Sequence, residues 1–405
     1  MDYDRLADEL FFSKEAADYL GITTQRLNKL IHEGKIKPLK KTPSGTIFHI
    51  SELEQRKEEL RIFDKLKEGG KNGMFEIDSK TKQEALNFSV LMNVLDYTEH
   101  KLEPLFDDFS KSNDISLPLI QESICEEYSN YFKVGVNVLK KAYEVAYRAF
   151  SQLRPTDEII KRGSQDYPQL LLATEQAPRF LYIRGKKSLL YEKRTVALVG
   201  SRNASDVAKE NTRRVAESLG KNGITVVSGL AKGIDVTAHV SALQRGYNTI
   251  AVIGTNLNQY YPKENELVQR EIEKKGLVVS QFSPASKTQR WFFPLRNGVM
   301  SGLSLATVIM EAGETSGALK QADFALKQNR LILIPEKALE IQTITWPARY
   351  VKRGAITVRT PKDIIKKLSE SSIYKTHEKE IYVQGNLEDY FSTKESDMVT
   401  DDLEE

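Results

Sequence analysis

The chain has 405 residues, 40% hydrophobic and 28% charged, with a net charge of +3. That length allows two or three domains, and the composition is ordinary for a soluble globular protein. No apolar run approaches the ~20 residues that span a bilayer, residues 1–5 do not read as a signal peptide, and the single cysteine, Cys125, excludes an intramolecular disulfide. A cytoplasmic location is the expectation.

In chain order, residues 11–68 read as a small lysine-rich unit. Ser13 can cap a first helix that Gly21 stops. Thr23 can cap a second, over 24–33, ending at Gly34. A hairpin follows over 38–48 around Pro43, Ser44 and Gly45, and Ser51 can cap a third helix. Two short helices joined through Leu20-Gly21-Ile22 form a helix-turn-helix pattern. Gly69, Gly70 and Gly73 mark a linker, 69–83. Residues 84–155 read as a helical domain, because Leu86, Val90, Leu91, Val94 and Leu95 recur at helical spacing. Val136, Leu139, Ala142, Val145 and Ala146 do the same, and Cys125 reads as a helix-face residue. An α/β domain occupies 156–368, and an acidic, mobile tail is expected over 369–405.

Within the α/β domain one unit repeats: a short apolar run, a turn of small and polar residues, a helix. The runs are 195–199, 224–227, 249–253, 277–279, 306–310 and 331–334. Each reads as a fully buried strand, which predicts a doubly wound, mostly parallel sheet with helices on both faces. Such sheets bind ligands beyond the carboxyl ends of their strands. Those ends carry Gly200-Ser201-Arg202, Gly229 to Gly233 around Lys232, Gly254-Thr255 and Glu311-Ala312-Gly313. Small residues admit a ligand to the backbone, and helix N-termini with cations favour an anion. Arg202 and Lys232 should point into one crevice, and Arg296-Asn297 can enter it from another side.

Several chemistries lack their motifs. Gly200 to Ser205 departs from G-x-G-x-x-G, and neither a G-x-x-x-x-G-K-[ST] loop nor a G-x-S-x-G elbow occurs. The five histidines (32, 49, 100, 239 and 377) show no metal-ligand spacing. Asp235 and His239, four apart on a helix, could form an acid/base pair; an Asp that caps and a His that packs is the preferred reading.

The N-terminal unit resembles the winged helix-turn-helix of the MerR and excisionase families, through Ala16-Ala17, Leu20 to Ile22, Leu27, Leu30-Ile31, Gly34 to Ile36 and Phe48. The resemblance implies that Thr24, Gln25, Arg26 and Lys29 face a DNA major groove, with Lys35, Lys37, Lys40 and Lys41 near phosphates. A protein-interaction module that kept the fold is the alternative.

The stretch from Tyr167 to Leu368 resembles the DNA-processing protein A (DprA/Smf) family. The resemblance rests on Tyr167-Pro168, Leu181 to Gly185, Val199 to Arg202, Val227 to Asp235, Tyr261 to Asn265, Phe293 to Asn297, Glu311-Ala312 and Ser316 to Leu319, all in order. It implies an extended Rossmann fold that binds single-stranded DNA without a cofactor, dimerises and helps load a RecA-type recombinase during natural transformation. Carried over, Arg202 and Lys232 would contact the DNA backbone, with Gly200, Ser201, Gly229, Gly233, Arg296 and Asn297 lining the pocket. Phe282, Trp291, Phe292 and Tyr260 are available for stacking, with core packing preferred for each. The helix 317–327, with Leu319 and Phe324, falls where the family dimerises, or covers the sheet. The chain departs from the family at Asp206-Val207, at Gly298 in place of an arginine, and at Glu336 in place of a glycine.

A non-enzymatic DNA-binding mediator is therefore the leading expectation. The alternatives are a nucleotide-ligand sensor, for instance in phage defence, and a nucleotide phosphoribohydrolase, whose P-G-G-x-G-T turn is missing at residues 310–315.

Overall fold

A computed structural model describes residues 10–32, 36–42, 45–54 and 75–371. It divides into two compact units at Glu76/Ile77.

The first unit holds a short strand β1 (Leu10–Phe12), helix α1 (Ser13–Leu20), helix α2 (Thr24–His32) and strands β2 (Lys40–Thr42) and β3 (Gly45–His49). The sheet order is β1-β3-β2, antiparallel throughout. Gly21, at φ 66°, ends α1, and Thr23 Oγ1 accepts from the Arg26 N–H to start α2. Ser13 does not cap α1: it is already helical, and the free Phe12 N–H goes to Glu15 Oε2 at 2.8 Å instead. Ser51 likewise lies inside the helical turn 50–54, and its N–H donates to His49 Nδ1. Ala16, Ala17, Leu27, Ile36, Phe48 and Leu53 form the core. The proposed helix stop at Gly34, Lys35, the turn residues Pro43 and Ser44, the glycines 69–73 and the tail from 372 on lie outside the described residues.

The second unit is built on a nine-stranded sheet. Its strands are β4 (Glu158–Lys161), β5 (Phe180–Gly185), β6 (Thr195–Gly200), β7 (Thr225–Ser228), β8 (Thr249–Val252), β9 (Leu277–Ser280), β10 (Ala306–Glu311), β11 (Leu331–Pro335) and β12 (Ile356–Val358). The order is β12-β11-β10-β6-β7-β8-β9-β5-β4. The seven strands from β12 to β9 are parallel, and β5 and β4 add antiparallel. All six strands expected from the apolar runs are present.

Both faces are apolar because alternate residues of each strand point to opposite sides. Val196, Leu198 and Val308 pack under helices α8 (Asp206–Lys221), α9 (Ile234–Gln244) and α14 (Pro361–Glu370). Ala197, Val199 and Ile309 pack under α11 (Phe292–Gly302), α12 (Gly317–Lys327) and α13 (Trp346–Lys352). The remaining helices are α3 (Lys80–Leu95), α4 (Glu99–Ser110), α5 (Glu122–Phe132), α6 (Val136–Phe150), α7 (Gln169–Leu172) and α10 (Glu266–Lys275).

The chain turns from linker to helix earlier than its glycines suggest. Ser79 Oγ accepts from the Lys82 N–H, so α3 begins at Lys80, inside the 69–83 stretch. Leu86, Val90, Leu91, Leu139 and Ala146 are buried as their spacing implies, whereas Val145 is 61% exposed. Helices α3 and α4 are clamped to the antiparallel edge by charge. Arg179, which precedes β5, pairs with Glu84 (2.8 Å) and Asp107 (2.5 Å), and Lys161 of β4 also meets Glu84 (2.6 Å). Arg184 of β5, buried, is held by Asp157 at 2.6 Å. Cys125 is buried on α5, its thiol pushed up by burial.

Candidate functional site

The parallel strands wind away from β6 in both directions, through β7 on one side and β10 on the other. This is the topological switch point where open α/β sheets bind ligands. A cleft of about 470 Å³ lies there, with Gly200 to Asn203 on one side, Thr315 to Gly317 on the other and Arg296-Asn297 at its back.

The loop after β6 is fixed by backbone contacts. The Ser201 N–H donates to the Glu311 carbonyl (2.7 Å), and the Ile234 N–H donates to the Ser201 carbonyl (3.2 Å). Gly233 makes this fit possible: at φ +73° it lies so close that a Cβ would stand 2.2 Å from the Ser201 oxygen. The N-terminus of α8 is not open to an anion in the expected way. The Glu311 carboxylate accepts from the Ser205 N–H (3.0 Å) and hydroxyl (2.6 Å). The N-terminus of α12 presents Ser316 and Gly317 to the cleft instead.

The cations divide into three roles. Arg202 is exposed, lines the cleft and has no ion-pair partner among the described residues. Arg296 is buried. Its Nη1 donates to the Gly229 carbonyl (2.6 Å) and to the Val252 carbonyl, and its Nε donates to Asn297 Oδ1 (3.1 Å). Gly229 is needed here, since a Cβ would meet the guanidinium at 2.5 Å. Burial lowers the Arg296 pKa to about 10, so it remains cationic at neutral pH. Arg296 thus places a fixed charge at the back of the cleft and ties the 229 loop to β8. Asn297 joins α11 to α12 by donating to the Gly317 carbonyl (3.4 Å).

Lys232 does not line the cleft. The next residue, Gly233, stands against the Arg202 backbone, but the Lys232 ammonium turns to Glu264 at 2.6 Å, with both side chains about half exposed (52% and 51%). The extra cation in the cleft wall is Lys320, on the second turn of α12. Nothing in its immediate sequence marks it. Only the packing of α12 beside α11 brings it to the mouth. The cleft lining therefore carries three cations, Arg202, Arg296 and Lys320, against one carboxylate, Asp235.

Asp235 accepts from the Ala231 N–H at 3.4 Å, and burial raises its pKa against the pull of Arg296. His239 is buried away from the cleft, with Nδ1 hydrogen-bonded to Thr249 Oγ1 at 2.7 Å; burial drives its pKa down to about 3. The imidazole packs as the preferred reading had it, but Asp235 does not cap the helix: it lies inside α9, whose start carries no side-chain cap, and it ties back the preceding loop at Ala231. Phe282 and Phe292 stack on each other at 3.9 Å in the core, while Trp291 is 47% exposed. Tyr260 is fastened by Arg154, which donates to its hydroxyl, and by the Arg270 guanidinium over its ring. Leu319 is buried, and α12 covers the sheet. No group of three or more metal-binding side chains occurs among the described residues, and none of their helices is long and apolar enough to cross a membrane.

A sequence profile of the DNA recombination-mediator protein A family matches residues 158–369. The chain belongs to this family. DNA processing protein DprA of Streptococcus pneumoniae is 33% identical over 263 residues, 64% of this chain and 86% of that protein. The Bacillus subtilis DprA is 30% identical over 214 residues, 53% of this chain and 72% of its own length. The X-ray structure of the S. pneumoniae protein aligns with a TM-score of 0.53 at 29% identity, over 71% of this chain and 95% of that one. The fold is thus the Rossmann-like α/β fold of the DNA recombination-mediator protein A family.

The positions expected to depart from the family each have a local partner in the structure. Gly298 packs on Gln176, where a Cβ would come within 2.7 Å of Cγ. Glu336 pairs with Arg359 of the loop before α14. Asp206 meets Lys209 one turn along α8.

Proposed function

We propose that the protein binds single-stranded DNA in the cleft at the β6/β10 switch point and acts as a recombination mediator or DNA-processing factor. The observation that carries this reading is the three-to-one excess of cations over carboxylates around a cleft with glycine-lined walls. Sequence-independent strand binding needs that pattern, since the charge follows the backbone rather than the bases. Arg202 takes a phosphate directly. Lys320 and the α12 N-terminus take the next, and Lys232 joins by exchanging Glu264 for DNA. Arg296 contributes mainly field, because its Nη1 donors are committed to the Gly229 and Val252 carbonyls and its Nε to Asn297.

Family membership supports the DNA role. Cytoplasmic action, a homodimer and a RecA-type recombinase as receiving partner follow from the same resemblance. The N-terminal unit would bind duplex DNA. Thr24, Gln25, Arg26 and Lys29 are all exposed on α2, while Leu27 and Leu30 face its core, so the four share the helix side that would meet a groove.

The deciding experiment is a titration with a single-stranded oligonucleotide, its duplex and free nucleotides at several salt concentrations. The double variant Arg202→Ala/Lys232→Ala should lose strand binding, with a shallower salt dependence. Wild-type affinity in that variant refutes the cleft as the site. Arg26→Ala/Lys29→Ala should weaken duplex binding alone, and an unchanged duplex affinity refutes the N-terminal reading. A thermal shift with nucleotides and none with oligonucleotides points to a nucleotide sensor.

A further inference from the structure

A second cavity, of about 490 Å³, lies on the other side of α11. Alternate positions of the first turns of α11 face the two spaces. Phe293, Arg296 and Asn297 line the basic cleft, while Trp291, Phe292 and Leu295 line this cavity. Its opposite wall comes from α3, from the start of α4, and from β5. Phe88 and Met92 of α3 and Glu99 of α4 lie outside the stretch matched by the family profile.

Three features define what the cavity accepts. Its walls are aromatic: Phe88 and Phe180 stand at 5.9 Å, and Phe282 and Phe292 lie parallel at 3.9 Å with Trp291 edge-on to the latter. Trp291 and Leu295 are 47% and 41% exposed and form the rim. The charged lining is acidic. Glu99, Glu103 and Glu175 face one arginine, Arg162, which is already engaged by Glu103 and by the Ala177 carbonyl. A phosphate is therefore unwelcome. Finally, Glu99 offers an unused acceptor. One of its oxygens takes the Arg179 N–H, and among the described residues nothing pairs the other. Glu99 is partly buried, and desolvation raises its carboxyl to about 7.

We propose that this cavity is a nucleobase site, in which a heteroaromatic ring slides between the aromatic walls and presents an N–H donor to Glu99. The ring is uncharged and flat, so the acidic lining admits it where it repels a phosphate. Base recognition elsewhere uses this combination of stacking and an edge hydrogen bond. Two sources supply such a ring: a free nucleoside, or a base of a strand whose phosphates sit in the basic cleft across α11. The second source rests on the function proposed above.

The chain has two tryptophans, and Trp346 is fully buried, so fluorescence changes report Trp291. Guanosine, which has adjacent N–H donors and no phosphate, should quench Trp291 saturably in the full-length protein. Glu99→Met, which keeps the length of the side chain and removes both acceptor oxygens, should weaken that binding about tenfold, the loss of one hydrogen bond to a charged group, and Arg202→Ala should leave it unchanged. If the base comes from a strand, an oligonucleotide made abasic at single positions should bind about tenfold more weakly than the intact one. If free nucleosides are the ligand, guanosine quenches and abasic strands bind like intact ones. The proposal is overturned if guanosine up to its solubility leaves Trp291 unchanged and abasic strands bind normally, or if quenching is the same in Glu99→Met. Failure of the cleft reading is separate: Arg202→Ala/Lys232→Ala would then bind strands like wild type, whatever guanosine does.

Discussion

Two cavities of nearly equal size, about 470 and 490 Å³, flank α11, and they differ in almost everything else. One is walled by turns and glycines and carries three cations to one carboxylate. The other is walled by rings and carries three carboxylates to one committed arginine. The cleft is made by strand ends, where backbone and small residues leave room for a polyanion. The aromatic cavity is made by helices α3 and α4 docking on the sheet's antiparallel edge, where large side chains meet imperfectly. The contrast teaches that one helix can serve two chemistries when successive residues turn to opposite sides. A strand crossing α11 could then keep its phosphates on one side and offer a base on the other.

The harshest way to break the comparison is Arg296→Met, which removes the shared wall's only buried cation. The Gly229 and Val252 carbonyls lose their donor, and the 229 loop loses its anchor. We expect a loss of stability of about 3 kcal/mol from the unsatisfied groups, read as a lowered midpoint in denaturant, with strand binding lost alongside. Arg202→Ala separates the cavities more cleanly. It should cost about tenfold in strand affinity at low salt and flatten the log–log salt slope by ~0.7, with no change in unfolding midpoint, because the side chain is exposed and unpaired. A stability loss comparable to that of Arg296→Met would mean that Arg202 is structural.

A gentler change sharpens the cleft side. Lys232 and Glu264 are half exposed, so their ion pair is worth under ~1 kcal/mol. Glu264→Gln frees the ammonium and removes a carboxylate beside the strand. Affinity for single strands should rise about two- to threefold at low salt, and the gain should vanish at high salt. A decrease would show that Glu264 positions Lys232 rather than restrains it.

The contrast between the cavities also marks what the sequence could tell. The six central strands announce themselves because both faces are covered, so each reads as an unbroken apolar run. β4 and β5 do not, because Glu158, Lys161 and Arg184 interrupt them; their charges are neutralised only by partners far along the chain, such as Asp157 and Glu84. β12 is three residues long, too short for a pattern. The cleft was legible through Gly200 and Arg202, since a strand end fixes where these go, and through Arg296, which follows the matched Phe293-Pro294 near the start of α11. Lys320 was not, because its position depends on how α12 packs. The direction of Lys232 was not legible either, since a flexible side chain follows the nearest carboxylate. The aromatic cavity was hidden for the same reason: its walls meet only in three dimensions.

The remaining comparison is one of pH, where two opposed titrations offset each other in the wild type, and it again sets the aromatic cavity against the body beneath the cleft. Glu99 has its pKa raised to about 7 from 4.5, and His239 has its pKa lowered to about 3 from 6.5. A raised carboxyl means that the folded state holds the proton better, so its contribution is complete below pH 4.5 and is lost as pH rises through 7. A depressed imidazole means that the folded state holds the proton worse. Its contribution is complete above pH 6.5 and is lost as pH falls toward 3. Between pH 4.5 and 6.5 the two slopes oppose and largely cancel. Glu99→Gln should therefore expose the histidine, so that stability relative to wild type climbs with pH across that window. His239→Asn, which keeps a partner for Thr249, should expose the carboxyl and make relative stability fall. Denaturant midpoints at half-unit pH steps read both, and parallel difference curves for the two variants would mean that neither group titrates as its surroundings require.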